Sequence, residues 1–167
     1  MARTYFADVT LFDGLRVRRR HGVLIDGQRV AWVGAHTRAP REARDARAVE
    51  GSGRTLTPGL VDCHVHLNFD GAGEFAEEMA LLNASPMTAP IKSVANAARH
   101  LAAGVTTVRD LGGVGTCELA GAIDAGTVPG PRLVAAGRAL TITGGHGHNI
   151  VFARQVDGAD AMRKAVR

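Results

Sequence analysis

The chain has 167 residues, of which 46% are hydrophobic and 22% are charged, a composition that is ordinary for a soluble globular protein. It contains no run approaching the roughly 18 consecutive apolar residues of a membrane span. Its start also lacks the basic, apolar and small-residue order of a signal peptide. We therefore expect a cytoplasmic protein that has no membrane partner.

The formal charge of +4 belongs to the first third of the chain. Residues 1–57 carry 11 Lys+Arg against 6 Asp+Glu, whereas residues 58–167 carry 9 against 10. Clustered arginines can attract phosphate. However, aromatic residues for base stacking are nearly absent from this segment, and no nucleic-acid-binding motif is visible. We expect the arginines to form a solvated face, with no nucleic-acid partner.

Residues 1–57 are predicted to form a small β-rich domain. Short apolar or alternating runs over 4–34 are separated by Asp-Gly pairs at 13–14 and 26–27. Such pairs supply the positive φ of tight hairpin turns, which indicates antiparallel strands. The polar stretch 37–54 contains one proline and two glycines, and it is predicted to be a loop or linker. A domain boundary is expected near residue 57.

After this boundary, predicted strands and helices alternate. Short apolar or β-branched runs indicate strands, and apolar residues at helical spacing indicate helices. Asp157 is predicted to cap a last helix. The predicted elements are strands over 60–67, 105–111 and 132–140, and helices over 75–82, 91–101 and 117–126.

This alternation is typical of parallel βαβ units with right-handed crossovers. An eight-unit barrel needs about 250 residues, or about 31 per unit, so residues 58–167 hold only about three and a half units. The residues alone leave two alternatives open. The second domain is either a small open sheet or the first part of a barrel.

A pair of histidines at the end of the first of these strands is the candidate metal site. Because strand side chains alternate, Asp62, His64 and His66 are predicted to share one face. Two imidazoles about 6 to 7 Å apart can reach one ion at about 2.0–2.1 Å, and imidazole suits zinc. Asp62 could orient a ligand. Histidines two apart are common by chance, but the carboxyl end of a barrel strand is where active sites lie.

A series of motifs then resembles one family, the amidohydrolase superfamily. TPGLVDCHVHL resembles the first strand of its barrel, and ADVTLFDG, GVLIDGQRVAWVGA and EGSGRTLTPG resemble the small β-rich domain that precedes it. LAAGVTTVRDLGG, AIDAGTVPGPRLVAAGRALTITGGHGH and GADAMRKAVR resemble the branch with imidazolonepropionase-like and Xaa-Pro dipeptidase-like members. The similarity covers nearly all of the chain.

The resemblance implies an α/β fold with two parts. Residues 1–57 would be the N-terminal β-rich, β-sandwich-like domain. Residues 58–167 would be the first three or so β/α units of a (β/α)8 barrel, truncated before strand four. The resemblance also implies that His64 and His66 bind a divalent metal, with zinc preferred and one or two ions in the complete enzyme. The metal-activated water would attack a carbon–nitrogen bond of a small amide, cyclic amide or dipeptide-type substrate.

Other parts of the chain contain further candidate residues. The resemblance implies that the catalytic aspartate lies downstream, so no catalytic residue is expected within this chain. His146, in the Gly-rich stretch TITGGHGH, is either a substrate contact, as the branch's motif implies, or a mobile loop residue. Arg109 and Asp110 are expected to make a salt bridge or a loop hydrogen bond. Cys63 and Cys117 match no zinc or redox spacing and are expected to be reduced and buried.

A second hypothesis is that the chain is a catalytically incomplete fragment. An open three-stranded parallel sheet would expose apolar faces and edges unless something covered them. Such a chain would be inactive, or it would need a second copy or a complementary chain as a partner. Two histidines without further ligands should hold metal weakly, because catalytic zinc sites use three protein ligands.

Overall fold

The computed structural model describes residues 3–167, and the chain folds as two compact units, Met1–Pro58 and Gly59–Arg167. The first unit is built from strands, and the second combines strands with α-helices. The predicted α/β class is therefore confirmed for the second unit. None of the helices within residues 3–167 is long and apolar enough to cross a membrane.

The strands of the first unit form one mixed sheet among the residues described. They are β1 (Arg3–Phe12), β2 (Val17–Asp26), β3 (Arg29–Ala35), β4 (Arg47–Glu50) and β5 (Thr55–Leu56). The order is β3-β2-β1-β4, and β5 also pairs with β1. The predicted antiparallel strands are confirmed, because β1 pairs with β2 and β2 with β3 in that sense. Alternate β1 residues are buried, which gives this sheet its core face: Tyr5, Ala7, Val9 and Leu11.

The stretch 37–54 is not simply a loop, so that prediction is wrong in part. β4 lies within it and pairs in parallel with β1, from Thr4 opposite Arg47 to Ala7 opposite Glu50. The strand is held by main-chain hydrogen bonds at the edge of the sheet, and only Val49 of its side chains is half-buried. An edge strand with so little apolar side-chain burial carries no hydrophobic pattern that the sequence could reveal.

The second unit is organised around a three-stranded parallel sheet of order β6-β7-β8. Helices connect the successive strands, as the alternation predicted. A separate pair of short parallel strands, β9 and β10, follows the third strand. The elements are β6 (Leu60–Val65), α1 (Phe75–Ala84), α2 (Thr88–Ala102), β7 (Val105–Asp110), α3 (Thr116–Asp124), β8 (Arg132–Ala135), β9 (Ala139–Thr141), β10 (Ala153–Gln155) and α4 (Ala159–Val166).

The core of this unit lies on one side of the sheet, against α2 and α3. It is formed by Val65, Leu67, Ala97, Val108, Leu119 and Leu133. The opposite side of β8 is open to solvent, since Val134 is 53% exposed while the preceding Leu133 is 8% exposed. Val61 of β6 pairs with Thr107, and this pair lies on the same side of the sheet as Val134. Val61 is also exposed.

Two local predictions near the end of the chain are wrong. The strand predicted over 132–140 ends at Ala135, because Gly137 adopts a φ of +74° and turns the chain before β9 begins. Asp157 does not cap α4; the cap position is Gly158, and no side chain bonds there. The Asp157 carboxylate instead accepts hydrogen bonds from the Thr143 backbone N–H at 3.0 Å and from its hydroxyl at 2.5 Å. These hydrogen bonds lower the pKa of Asp157 below its ordinary value.

The two cysteines are free, but the expectation that they are buried is wrong. Cys63 and Cys117 are both exposed. Cys63 lies in an irregular part of β6, and Cys117 lies in the first turn of α3. Neither position faces the core between sheet and helices.

The two faces of β8 should respond very differently to truncation. We expect Leu133→Ala to lower the free energy of unfolding by about 2–5 kcal/mol, because it opens a cavity in the core. Val134→Ala, one residue later on the exposed face, should change it by less than about 0.5 kcal/mol. Urea unfolding of the two variants followed by circular dichroism measures both values. Equal losses would show that the core is not confined to the helix-covered side.

Candidate active site

His64 and His66 lie side by side at the carboxyl end of β6. Their ring centroids are 5.5 Å apart and the ring planes meet at 74°. His64 is exposed and His66 is half-buried. The two imidazoles that the sequence singled out are therefore adjacent, on the edge of the sheet where parallel strands end.

A bulge in β6 interrupts the regular alternation that was predicted for this segment. Asp62 pairs with Val108 and Val65 pairs with Asp110, so three steps along β6 match two along β7. The Asp62 carboxylate accepts a hydrogen bond from the backbone N–H of His64 at 3.0 Å within this bulge. Asp62 thus hydrogen-bonds the main chain of one histidine, and among the described residues its carboxylate makes no hydrogen bond to either imidazole. Bulges of this kind re-aim side chains near strand ends.

The protonation of His66 follows from its hydrogen bond. Nδ1 of His66 lies 2.9 Å from the carbonyl oxygen of Gly112. A carbonyl oxygen can only accept, so Nδ1 carries the proton and donates it. In the neutral ring, Nε2 then keeps the free lone pair. This arrangement, an imidazole fixed through one nitrogen and free at the other, is the usual one for histidine metal ligands.

Aromatic side chains surround the His66 ring. Phe152 stacks on it, with centroids 5.1 Å apart and planes within 14°. Phe69 meets it edge-on at 6.4 Å and meets Phe152 edge-on at 5.8 Å. Phe75 stacks on Phe69 at 5.9 Å. One side of the site is therefore lined by aromatic rings packed against one another.

A cavity of about 300 Å³ brings both histidines together with His146. Its other lining residues are mainly apolar: Leu111, Ala139, Gly147, Ile150, Phe152 and Ala153. His146 is exposed and faces this space, whereas His148 lies outside the lining and bonds through Nδ1 to the Gly145 carbonyl oxygen at 2.9 Å. Of the two loop histidines, only His146 could meet a ligand beside His66.

The buried carboxylate of Asp110 holds the turn that carries His66. One of its oxygens accepts the backbone N–H of Leu67 at 2.8 Å, and the other accepts that of Gly112 at 3.0 Å. Asp110 is completely buried. It therefore ties the residue after His66 to the residue whose carbonyl bonds the His66 ring. Arg109, its neighbour in sequence, is exposed and forms no ion pair within residues 3–167.

Two buried asparagines fix the segment after the histidines, and sequence reasoning did not find them. The Asn68 amide oxygen accepts the backbone N–H of Val114 at 2.7 Å, and its NH2 group donates to the Ser93 hydroxyl at 2.6 Å. Asn96 donates from α2 to the carbonyl oxygens of Leu67 and Phe69, both at 2.9 Å. For Asn68 the signal was its place between the apolar residues Leu67 and Phe69, where a buried amide needs specific partners; Asn96, inside α2, had no such signal.

Ion pairs hold the next part of the loop against α2. Lys92 lies 2.9 Å from Asp70 and 2.7 Å from Glu78, and its side chain is largely buried. The hydrogen bond from Lys92 lowers the pKa of Asp70 despite partial burial. Burial alone would lower the pKa of Lys92, but the hydrogen bonds to Asp70 and Glu78 outweigh it and raise the pKa. Arg99 also lies 3.5 Å from Asp70, so two cations balance the two carboxylates in this part of the structure.

The donor set suits a divalent transition metal only in part. Within residues 3–167, no group of three or more His, Cys, Asp or Glu side chains is arranged to hold a metal ion. Two adjacent imidazoles, one of them with Nε2 available, could supply two of the three or four protein ligands of an ordinary zinc site. The residues therefore fit the first ligands of such a centre, and they do not form a complete one.

Comparison with known proteins identifies the family. The family model described as "Amidohydrolase family" matches residues 55–167. The chain therefore belongs to the amidohydrolase family, and the resemblance inferred from its motifs is confirmed. The match includes β6 and all the residues that surround the two histidines.

Individual relatives cover the chain to different extents. Ochratoxinase from Aspergillus niger is 36% identical over 135 residues, which is 77% of this chain and 26% of that protein. Imidazolonepropionase from Aromatoleum aromaticum is 45% identical over 67 residues, 36% of this chain and 16% of that protein. The chain thus spans about a quarter of the length of the ochratoxinases that it matches.

Solved structures are similar over almost the whole chain. A prolidase complexed with N-methylphosphonate-L-proline superposes with a TM-score of 0.79 at 31% identity, covering 98% of this chain and 43% of that one. The structure of A. niger ochratoxinase gives a TM-score of 0.78 at 26% identity, with 99% and 43% coverage. The fold described above is therefore that of amidohydrolase proteins.

The role of Asp110 in the His66 turn can be tested by replacing one oxygen. Asp110→Asn keeps the size but can accept only one of the two N–H groups, which leaves the other unpaired in a buried site. We expect it to lower the free energy of unfolding by about 1–3 kcal/mol. Asp124→Asn, the same change at the exposed end of α3, should cost less than about 0.5 kcal/mol. If the two variants unfold at the same urea concentration, Asp110 does not hold the turn.

Proposed function

We propose that His64 and His66 are the first two ligands of a divalent metal, preferably zinc, in a hydrolase that cleaves carbon–nitrogen bonds. The substrates would be small amides, cyclic amides or dipeptide-type molecules. The observation that carries this proposal is the hydrogen bond from Nδ1 of His66 to Gly112, which leaves Nε2 available on a ring whose centroid lies 5.5 Å from that of His64. Membership of the amidohydrolase family and the likeness to ochratoxinase, imidazolonepropionase and prolidase support the reaction class.

When bound, a divalent cation would polarise the substrate carbonyl and lower the pKa of a water molecule so that it can attack. The residues of this chain would supply the surroundings. The Gly112 carbonyl keeps the proton of His66 on Nδ1, and Asp62 orients His64 through its main chain. Phe152 and Ile150 line the cavity and exclude bulk water. His146 would hydrogen-bond a polar group of the substrate.

The two units would form different parts of the enzyme. We propose that residues 1–57 form the β-rich domain of the composite amidohydrolase type. Residues 58–167 would form the first part of the barrel, with β6, β7 and β8 as its first three strands. The catalytic aspartate and the remaining metal ligands would come from outside residues 1–167, since the part matched to ochratoxinase covers only 26% of that protein.

A second candidate is that the chain alone is inactive and needs a complementary chain. Two observations favour it. No set of three metal-binding side chains is assembled within residues 3–167, and the open side of the sheet exposes Val61 and Val134. A second chain, or further sequence, that packed on this side would cover the apolar surface and could bring the missing ligands.

The two-ligand site should bind zinc weakly. After dialysis against metal-free buffer, we expect the purified chain to retain well below one zinc per molecule, because catalytic zinc sites normally use three protein ligands. It should also show no turnover of amide substrates. Atomic absorption spectroscopy measures the retained metal.

We expect the weak zinc binding to occur at His64 and His66. In a zinc titration monitored by NMR, the wild-type chain should respond and the double variant His64→Ala, His66→Ala should lose most of that response. His21→Ala, a histidine of the first unit, serves as the matched control and should titrate like wild type. Stoichiometric zinc after dialysis together with turnover would contradict the incomplete site, and an unchanged double variant would contradict the ligand assignment.

The role of His146 can be tested in a full-length enzyme that contains this sequence and turns over an amide substrate. There, His146→Ala should lower kcat/KM about 10-fold or more, the cost of one lost hydrogen bond to the substrate. His148→Ala is the matched control, since it lies two residues away but outside the cavity lining. Equal kinetics for wild type and His146→Ala would exclude the contact.

A further inference from the structure

Two contacts of different kinds fix the imidazole of His66. Its edge is held by the hydrogen bond from Nδ1 to the Gly112 carbonyl oxygen at 2.9 Å. Its face is covered by the Phe152 ring, nearly parallel at 14° and 5.1 Å away between centroids. The rotation of a histidine ring about its last side-chain bond is intrinsically broad, so a single hydrogen bond fixes one atom but does not prevent the ring from tilting.

Phe152 is itself held firmly, although it is far from His66 in sequence. Its side chain is only 4% exposed. It directly precedes β10, and its carbonyl oxygen accepts the backbone N–H of Ala139 at 3.0 Å, at the start of β9. The position of the Phe152 ring is therefore set by the pairing of two strands that do not contain His64 or His66.

The absence of a side chain at Gly112 makes both contacts compatible. A Cβ at this position would lie 3.1 Å from the Phe152 ring and 3.3 Å from the Ala139 side chain. Both distances are shorter than ordinary carbon–carbon contacts. A side chain at position 112 would therefore crowd the ring that covers the face of His66, and glycine leaves room for it.

We propose that Phe152 is a positioning residue that sets the plane of the His66 imidazole for metal binding. The proposal rests on the proposed function of His66 as a ligand. With the plane fixed before the metal arrives, little ring freedom is lost on binding. Removal of the aromatic face leaves the Gly112 hydrogen bond in place but lets the ring tilt, which weakens the metal without removing a ligand. Partners that orient ligating histidines typically contribute 10- to 100-fold in affinity.

The test uses Co²⁺ as the probe, because its visible absorption reports the ligand geometry directly. We expect Phe152→Leu, which keeps an apolar side chain but removes the flat ring, to raise the Kd for Co²⁺ about 10-fold or more. Phe152→Tyr keeps the ring and should restore affinity to within about twofold of wild type. Phe6→Leu, the same change in the other unit, is the matched control and should leave the Kd unchanged. Circular dichroism confirms that each variant is folded.

A second measurement on the wild-type, metal-free chain does not depend on any variant folding. NMR should show nuclear Overhauser contacts between the imidazole protons of His66 and the ring protons of Phe152. Their absence would overturn the proposal, as would a folded Phe152→Leu chain with the wild-type Kd. If the wild-type chain binds Co²⁺ no better than the double variant His64→Ala, His66→Ala, the proposed function itself fails, and this outcome is separate from a failure of Phe152 alone.

Discussion

The candidate site depends on one hydrogen bond, from Nδ1 of His66 to the carbonyl oxygen of Gly112. A carbonyl cannot donate, so this bond decides which nitrogen of the ring is protonated and which remains able to bind a metal. It also joins the ends of two neighbouring strands, since His66 follows β6 and Gly112 follows β7. The protonated nitrogen of the ring is thus set at the point where two parallel strands end.

This hydrogen bond persists only if the two backbone segments that it joins keep their positions. Buried polar side chains hold both segments in place. Asp110 accepts N–H groups from both segments, and Asn68 and Asn96 bond the turn to α2 and to the loop after β7. Within residues 3–167, no buried side-chain nitrogen or oxygen lacks a partner. A fully satisfied network in a low-dielectric interior specifies one arrangement, because any alternative would leave a buried group unpaired.

The sequence predicted what depends on regular patterns. Alternating apolar residues revealed β1 and β2, and helical spacing revealed the helices between strands. Two histidines at a strand end indicated the candidate site, whose role in metal binding stays a prediction. Prediction from the sequence failed where main-chain hydrogen bonds or single residues determine where a strand lies, where it ends or which face a residue occupies. β4 buries almost no apolar side-chain surface, Gly137 ends β8 early, and the bulge after Asp62 changes which face each residue occupies. The stacking of Phe152 on His66 joins residues 86 positions apart, and no local pattern reports such a contact.

The most direct test of this account is the protonation of His66, observed by long-range ¹H–¹⁵N NMR with and without zinc. The account predicts that Nδ1 of His66 carries a proton in the metal-free chain and that, wherever the ring is neutral, Nε2 does not. On addition of zinc, the Nε2 resonance of His66 and a nitrogen of His64 should shift first among the histidines. A ring protonated on Nε2, or zinc-induced shifts confined to other histidines, would contradict it.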